Sequence, residues 1–185
     1  GLRVRRGIGL AARRTKGVTV GRLTANTGRY SGPWNKLNSG NVGIDEPAIF
    51  SPCGQYRYLL RRRVSLDRGN CLFIMLNPST ADAIKDDPTV RRCKAFARSW
   101  GFGTLTVANI FAFRSTTPHV LTSTSMDPVG PENDFWIRVA ALKADRTVCA
   151  WGQWGKLLGR SRDVRMLLKT VEAVCPLCLG FTSEG

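Results

Sequence analysis

The chain has 185 residues, 43% of them hydrophobic and 22% charged, a composition that suits a globular domain with its own core and excludes a low-complexity or fibrous chain. No apolar run approaches the ~20 residues that cross a bilayer, so a soluble, cytoplasmic protein without a membrane partner is expected. The formal net charge of +15 suits either an anionic partner such as nucleic acid or a solvated basic tail.

The charge is unevenly placed. Residues 1–45 carry nine Lys and Arg and a single acid, Asp45, for a net +8, while residues 46–185 carry +7. The first segment has no sustained hydrophobic period, which predicts a disordered or loosely attached basic extension. It begins at Gly1 rather than Met, so the numbering is expected to start inside a longer product. Residues 1–30 are Arg-rich and acid-free, superficially like a transit peptide, whereas "GIGLAA" is too short for a secretory signal core. A single domain is expected over 46–185.

Order is predicted to begin near Ala48. "AIFSPCGQYRYLLRRRV" reads as an antiparallel hairpin around Pro52-Cys53-Gly54, with Tyr56, Tyr58 and Leu60 inside and Arg57 and Arg61 outside. Residues 71–76 form a continuous apolar strand. Asp87-Pro88 then opens a helix, Asp as N-cap and Pro at the first helical position. Val90, Cys93, Phe96, Ala97 and Trp100 give its apolar face and Gly101 its end. Residues 104–113 make a second strand. A helix opening at Pro131-Glu132 follows, with Phe135, Trp136, Val139, Ala140 and Leu142 inside. Residues 147–151 make a third strand, 160–173 a helix, and 177–181 a short fourth strand. Alternation of this kind predicts an α/β three-layer sandwich with a mostly parallel four-stranded sheet, preceded by a β-hairpin.

The six cysteines do not make a dense disulfide framework. Cys71, Cys93 and Cys149 sit in apolar patterns as small buried hydrophobes. Cys175 and Cys178 have ligand spacing but lack a second pair, and His119 is the only histidine, so neither a metal nor a cofactor is predicted.

In an open parallel sheet, ligands sit outside the carboxyl ends of the strands. There the first strand leads to Asn77, Ser79, Thr80 and Asp82. The second leads to Asn109, Phe111 and Arg114, and the third to Trp151, Gly152, Gln153, Trp154, Gly155 and Lys156. Amides, hydroxyls, a guanidinium and indoles at one edge suit a planar polar ligand or a phosphate. Each residue also has a plain structural role open to it. Asn77-Pro78 can be a strand-ending turn and Asp87 a helix cap. Arg114 can pair with Asp82 or Asp134, and Gly152 and Gly155 can permit a tight turn. The glycines do not form a Walker loop.

"FSPCGQYRYLL", "MLNPSTADAIKDDPTVRRCKAFA", "WGFGTLTVANIFAFRSTTP", "DPVGPENDFW" and "CAWGQWG" resemble, in order, the domain of unknown function 1643 family of bacteria and phages, from about Ala48 to Thr182. "MLNPS" is also similar to the first motif of uracil-DNA glycosylases, notably the "INPG" form of the mismatch-specific branch. That likeness implies that Asn77 positions the attacking water. "VANIFAFR" then stands where those enzymes have a strand ending in Asn with an Arg nearby, and "CAWG" where they have Leu-Gly. Two departures stand out. Ser79 replaces the motif glycine. The chain stops at residues 182–185, where the family carries an "HPLY"-like segment and the glycosylases an "HPS" motif, so it is expected to be truncated at its C-terminus. His119 lies in another loop and is no substitute.

The expected function is binding of a nucleobase, a nucleotide, DNA or RNA at the strand ends, extending to hydrolytic base excision if the second likeness holds. Asn77 would hold a water and Phe111 or Trp151 would stack the base. Ser79, Thr80, Asn109, Arg114 and Gly152 would complete the site. The alternatives are a non-catalytic domain for a small ligand or partner, and a metal-dependent phosphohydrolase built on Asp82 and Asp86.

Overall fold

The computed structural model describes residues 46–171 and 177–178. The expectations for the basic extension, for Cys175 and for the C-terminal end lie outside the described residues. Among the described residues six strands form one sheet: β1 (Ala48–Phe50), β2 (Arg57–Arg63), β3 (Asn70–Met75), β4 (Thr104–Asn109), β5 (Arg146–Ala150) and β6 (Leu177–Cys178), in the order β1-β2-β4-β3-β5-β6. The helices are α1 (Pro88–Ser99), α2 (Val120–Ser123), α3 (Asn133–Leu142) and α4 (Arg160–Thr170), with a 3-10 segment over Gln153–Gly159.

The four strands expected to be parallel are parallel: β4 with β3, β3 with β5, and β5 with β6. The hairpin is also present, β1 antiparallel to β2. It is not a separate prelude, however. β2 docks antiparallel on β4, with Leu60 opposite Val107, so the sheet is six-stranded and mixed. The pairing supplies backbone partners to the edge of β4, whose N–H and C=O groups would otherwise stay unpaired, and the apolar residues of β2 extend both cores.

Helices cover both faces. Val90, Cys93 and Ala97 of α1 pack with Leu60, Cys71, Phe73, Met75, Leu105, Val107 and Val148. On the other face Trp136, Ile137 and Ala140 of α3 and Val164 and Leu168 of α4 pack with Tyr58, Leu59, Leu72, Ile74, Ala108 and Cys149. Alternate residues of β3 thus serve two cores, which is why that strand reads as a continuous apolar run. The chain after β3 turns to the first face, and the chain after β4 and β5 to the second. Adjacent strands whose connections leave to opposite faces open a crevice at their carboxyl ends.

Local signals fixed α1 well. The Asp87 carboxylate accepts from Val90 N at 2.8 Å, and Pro88 starts the helix. At its other end Gly101 has φ +78, Gly101 N donates to Arg98 O and Phe102 N donates to Ala97 O, the paired bonds of a Schellman end. In α3 the buried face is Asn133, Trp136, Ile137, Ala140 and Ala141. Leu142, expected inside, is exposed, because the helix is rotated to bring Asn133 against the end of β4.

Candidate functional site

β3, β4 and β5 are parallel, so the loops that follow them leave from one edge of the sheet. The first two loops are bonded together. Ile110 N and Phe111 N donate to the Met75 and Leu76 carbonyls, and Ser115 N donates to Pro78 O at 2.9 Å. Asn77 completes the tie: its Nδ2 donates to Ser115 O at 2.8 Å and to Pro78 O at 3.2 Å. The half-buried Asn77 amide therefore has its donor end occupied and offers Oδ1 as an acceptor. The second and third loops meet where the His119 and Trp154 rings stand edge to face, 5.0 Å between centroids.

Asn109 ends β4 and is 1% exposed. Its Oδ1 accepts from Nη2 of Arg57 at 3.3 Å, and its Nδ2 is buried with no partner among the described residues. On the opposite face, Asn133 Nδ2 spans the carbonyls of Asn109 and Ile110 at 2.9 and 3.0 Å. Arg160 Nε also donates to Ile110 O, at 2.8 Å, and its Nη2 is paired with Asp134. The carboxyl end of β4 is thus gripped from both faces.

Arg57 is the residue that sequence reasoning misplaced. Expected on the outer face of the hairpin, it is 1% exposed. The pairing of β1 with β2 slips between Ile49 and Phe50, passing over Tyr58, and neighbouring Tyr58 and Leu59 pack into one core. A bulge of this kind shifts the alternation by one residue. Arg57 thereby loses phase with Arg61 but still faces away from Tyr56 and Tyr58, and it is buried because that face is covered too, by the loop after β3, where Nη1 donates to Ala81 O at 2.8 Å. Burial lowers its pKa to about 10, and Asp87 opposes that shift while Arg114 and Arg62 add to it. The signal for the bulge was absent from the local sequence, because it depends on how β1 and β2 register.

The other candidate residues separate into three groups. Ser79 is half-buried, and Thr80 and Gly152 are exposed, the last with φ +67. Arg114 is half-buried across the hairpin turn, with Nη1 donating to Gly54 O, its guanidinium 5.1 Å from the Phe50 ring centroid, and Nε buried without a partner among the described residues. It pairs with neither Asp82 nor Asp134. Phe111 is 0% exposed and Trp151 8%. Both lie in the core, so neither presents an open face here for the stacking role expected of it: Phe111 belongs to the second core, and Trp151 packs against Gly155, where a Cβ would lie 2.1 Å from Trp151 Cδ1. Rings that this edge does expose are His119 and Trp154, the latter beside Gln153, Lys156 and Leu157 in a shallow depression. A second depression, at Pro47, Arg61, Arg63 and Thr104, lies at the amino end of β4, away from these loops.

The carboxylates considered for metal chemistry are already engaged. Asp82 Oδ1 accepts from the Ile84 and Lys85 amides at 2.8 and 2.7 Å, which holds its pKa below the usual range, Lys85 contributing most. Asp86 bridges Arg62 Nε at 2.6 Å and Lys94 Nζ at 2.7 Å. Burial pushes the Asp86 carboxyl up, and the bonds and charges of Lys94 and Arg62 outweigh it and hold it down. Among the described residues there is no cluster of three or more His, Cys, Asp or Glu placed to hold a metal, nor a helix long and apolar enough to cross a membrane.

No curated protein and no solved structure matches the chain. A family model does, and its span takes in every residue of the edge just described, from Arg57 onward. The chain belongs to the family described as "Protein of unknown function (DUF1643)", matched over residues 57–185.

Proposed function

We propose that the carboxyl edge of the sheet binds a nucleobase or nucleotide, free or within a nucleic acid strand. The observation that carries this reading is the bonding of the β3 and β4 loops through Asn77, which turns its Oδ1 into a fixed acceptor at a half-open position. The same two loops carry Ser79, Thr80 and Arg114, whose hydroxyls and guanidinium are further polar groups for a ligand at this edge. An acceptor beside donors suits the mixed edge of a base, and a guanidinium suits its carbonyl or phosphate oxygens. The exposed ring of Trp154 can stack a base that enters from the β5 side. The excess positive charge of the domain favours the same class of ligand.

Base excision is the finer form of this reading: Asn77 Oδ1 would accept from the attacking water and orient it. The engagement of Asp82 and Asp86 argues against a phosphohydrolase built on them.

The basic extension, with a net charge of +8, attracts any polyanion. Free nucleosides are therefore the discriminating ligands. Saturable binding of at least one nucleoside to the full chain, weakened in Asn77→Ala, is the expected result. Failure of all common nucleosides to bind would overturn the reading. Release of free base from uracil-containing DNA in the presence of EDTA would establish excision, and its absence would leave a binding domain.

A further inference from the structure

We infer that Arg57 and Asn109 form a receptor for an oxyanion, such as the phosphate group of a nucleotide, covered by the loop that follows β3. The inference rests on the reading of the carboxyl edge as the ligand-binding edge, and it names the group recognised most deeply there.

Four observations carry it. Arg57 is buried, and the two hydrogen bonds of its guanidinium go to neutral oxygens, Ala81 O and Asn109 Oδ1. Among the described residues no carboxylate lies within ion-pair distance of it; the ion pairs of this region belong to Arg62 and Lys94 with Asp86, and to Arg160 with Asp134. A buried charge in this position is only partly compensated by neutral acceptors.

Second, Asn109 presents an unused donor at the same place. Its Nδ2 is buried without a partner. Turning the amide over does not relieve this, since Nδ2 would then face the guanidinium, donor against donor. A guanidinium with N–H groups to spare and an adjacent amide N–H are the donor set of an oxyanion site.

Third, the neighbouring charges compensate Arg57 only at a distance. Asp87 is the opposing charge, but its carboxylate makes no ion pair with Arg57 and caps α1, accepting from Val90 N. Arg114 and Arg62 share the sign of Arg57 and work against it.

Fourth, the cover is a surface loop with two arginine fastenings. Arg57 holds Ala81 O from within. Arg62 holds Asp82 O and Asp86 from outside. Between them Ala83, Ile84 and Lys85 are exposed, Ile84 by 94%. Nothing apolar pins these three residues, and the apolar anchor of the loop is Ala81 at its base, buried in the core. An oxyanion entering from the Asn77 side takes the place of Ala81 O on Nη1 and gains the Asn109 amide.

The test uses the full chain and three probes: inorganic phosphate, a nucleoside, and the nucleoside 5′-monophosphate. Each is titrated calorimetrically at ionic strength matched with chloride. The variant is Asn109→Asp, which supplies Arg57 with an isosteric carboxylate. It is expected to fold with an unchanged or higher melting temperature and to bind phosphate ~30-fold or more weakly, since the oxyanion then meets a fixed negative charge. Should that variant fail to fold, Arg57→Gln takes its place with the same expected loss. Absence of saturable phosphate binding by the wild type, or undiminished binding by the variant, overturns the inference. Phosphate binding without nucleoside binding upholds this site and removes the nucleobase reading. Nucleoside binding without phosphate binding does the reverse.

Discussion

Replacing Asn77 by alanine separates a ligand group from a turn brace. The substitution removes two hydrogen bonds, to Ser115 O and Pro78 O. Pro78 O keeps a partner, because Ser115 N also donates to it at 2.9 Å. Ser115 is half-buried, so its carbonyl can recruit water. Neither acceptor is stranded, and the loss stays at the net worth of a hydrogen bond, ~1 kcal/mol. For a domain of this size that lowers the melting temperature by roughly 4 °C. Ligand affinity should fall much further, since Oδ1 disappears while the backbone bonds between the two loops remain. The assay is thermal unfolding followed by circular dichroism, paired with nucleoside titration of the same preparations. A fall of more than ~10 °C with affinity unchanged would refute the reasoning: Asn77 would then be the keystone of the turn and no part of a ligand site.

Three further outcomes are expected. Gly155→Ala forces a Cβ to within 2.1 Å of Trp151 Cδ1, so it should cost ~2 kcal/mol or more by urea unfolding and alter the near-ultraviolet signal of the indole. Asp86, whose carboxyl is held below its ordinary value by Lys94 and Arg62, contributes stability that is fully present above the unfolded-state pKa of about 4 and is lost as pH falls through the lower folded value; Asp86→Asn should therefore be less stable near neutrality and show a flatter decline under acid, read from melting temperatures across pH. Cys53 is exposed and its thiol is lowered by the Ser51 hydroxyl, while burial pushes Cys71 up to about 12 and Cys93 up to about 11. Alkylation of the native chain mapped by mass spectrometry should label Cys53 well before those two, and equal labelling would contradict the burial.

The parts of this protein legible from sequence are those governed by neighbours along the chain. Asp87-Pro88 and Gly101 bracket α1 because a cap and a left-handed end are local devices. The apolar runs of β3 and β5 announce strands covered on both faces, and the alternation of strands and helices implies parallel pairing, hence one common edge for Asn77, Asn109 and Trp151. What tertiary structure alone decided is which of those side chains remain available. Phe111 and Trp151 look like ligand rings in sequence and are core, because α3, α4 and the 3-10 segment close over them. Arg57 looks like a solvated strand residue and is buried, because β2 joins β4 in a sheet covered on both faces and the loop after β3 closes over it. Both outcomes depend on registers between segments far apart in the chain. A hydrophobic pattern measures only the periodicity of its own segment; it holds no term for the partner that comes to lie against it.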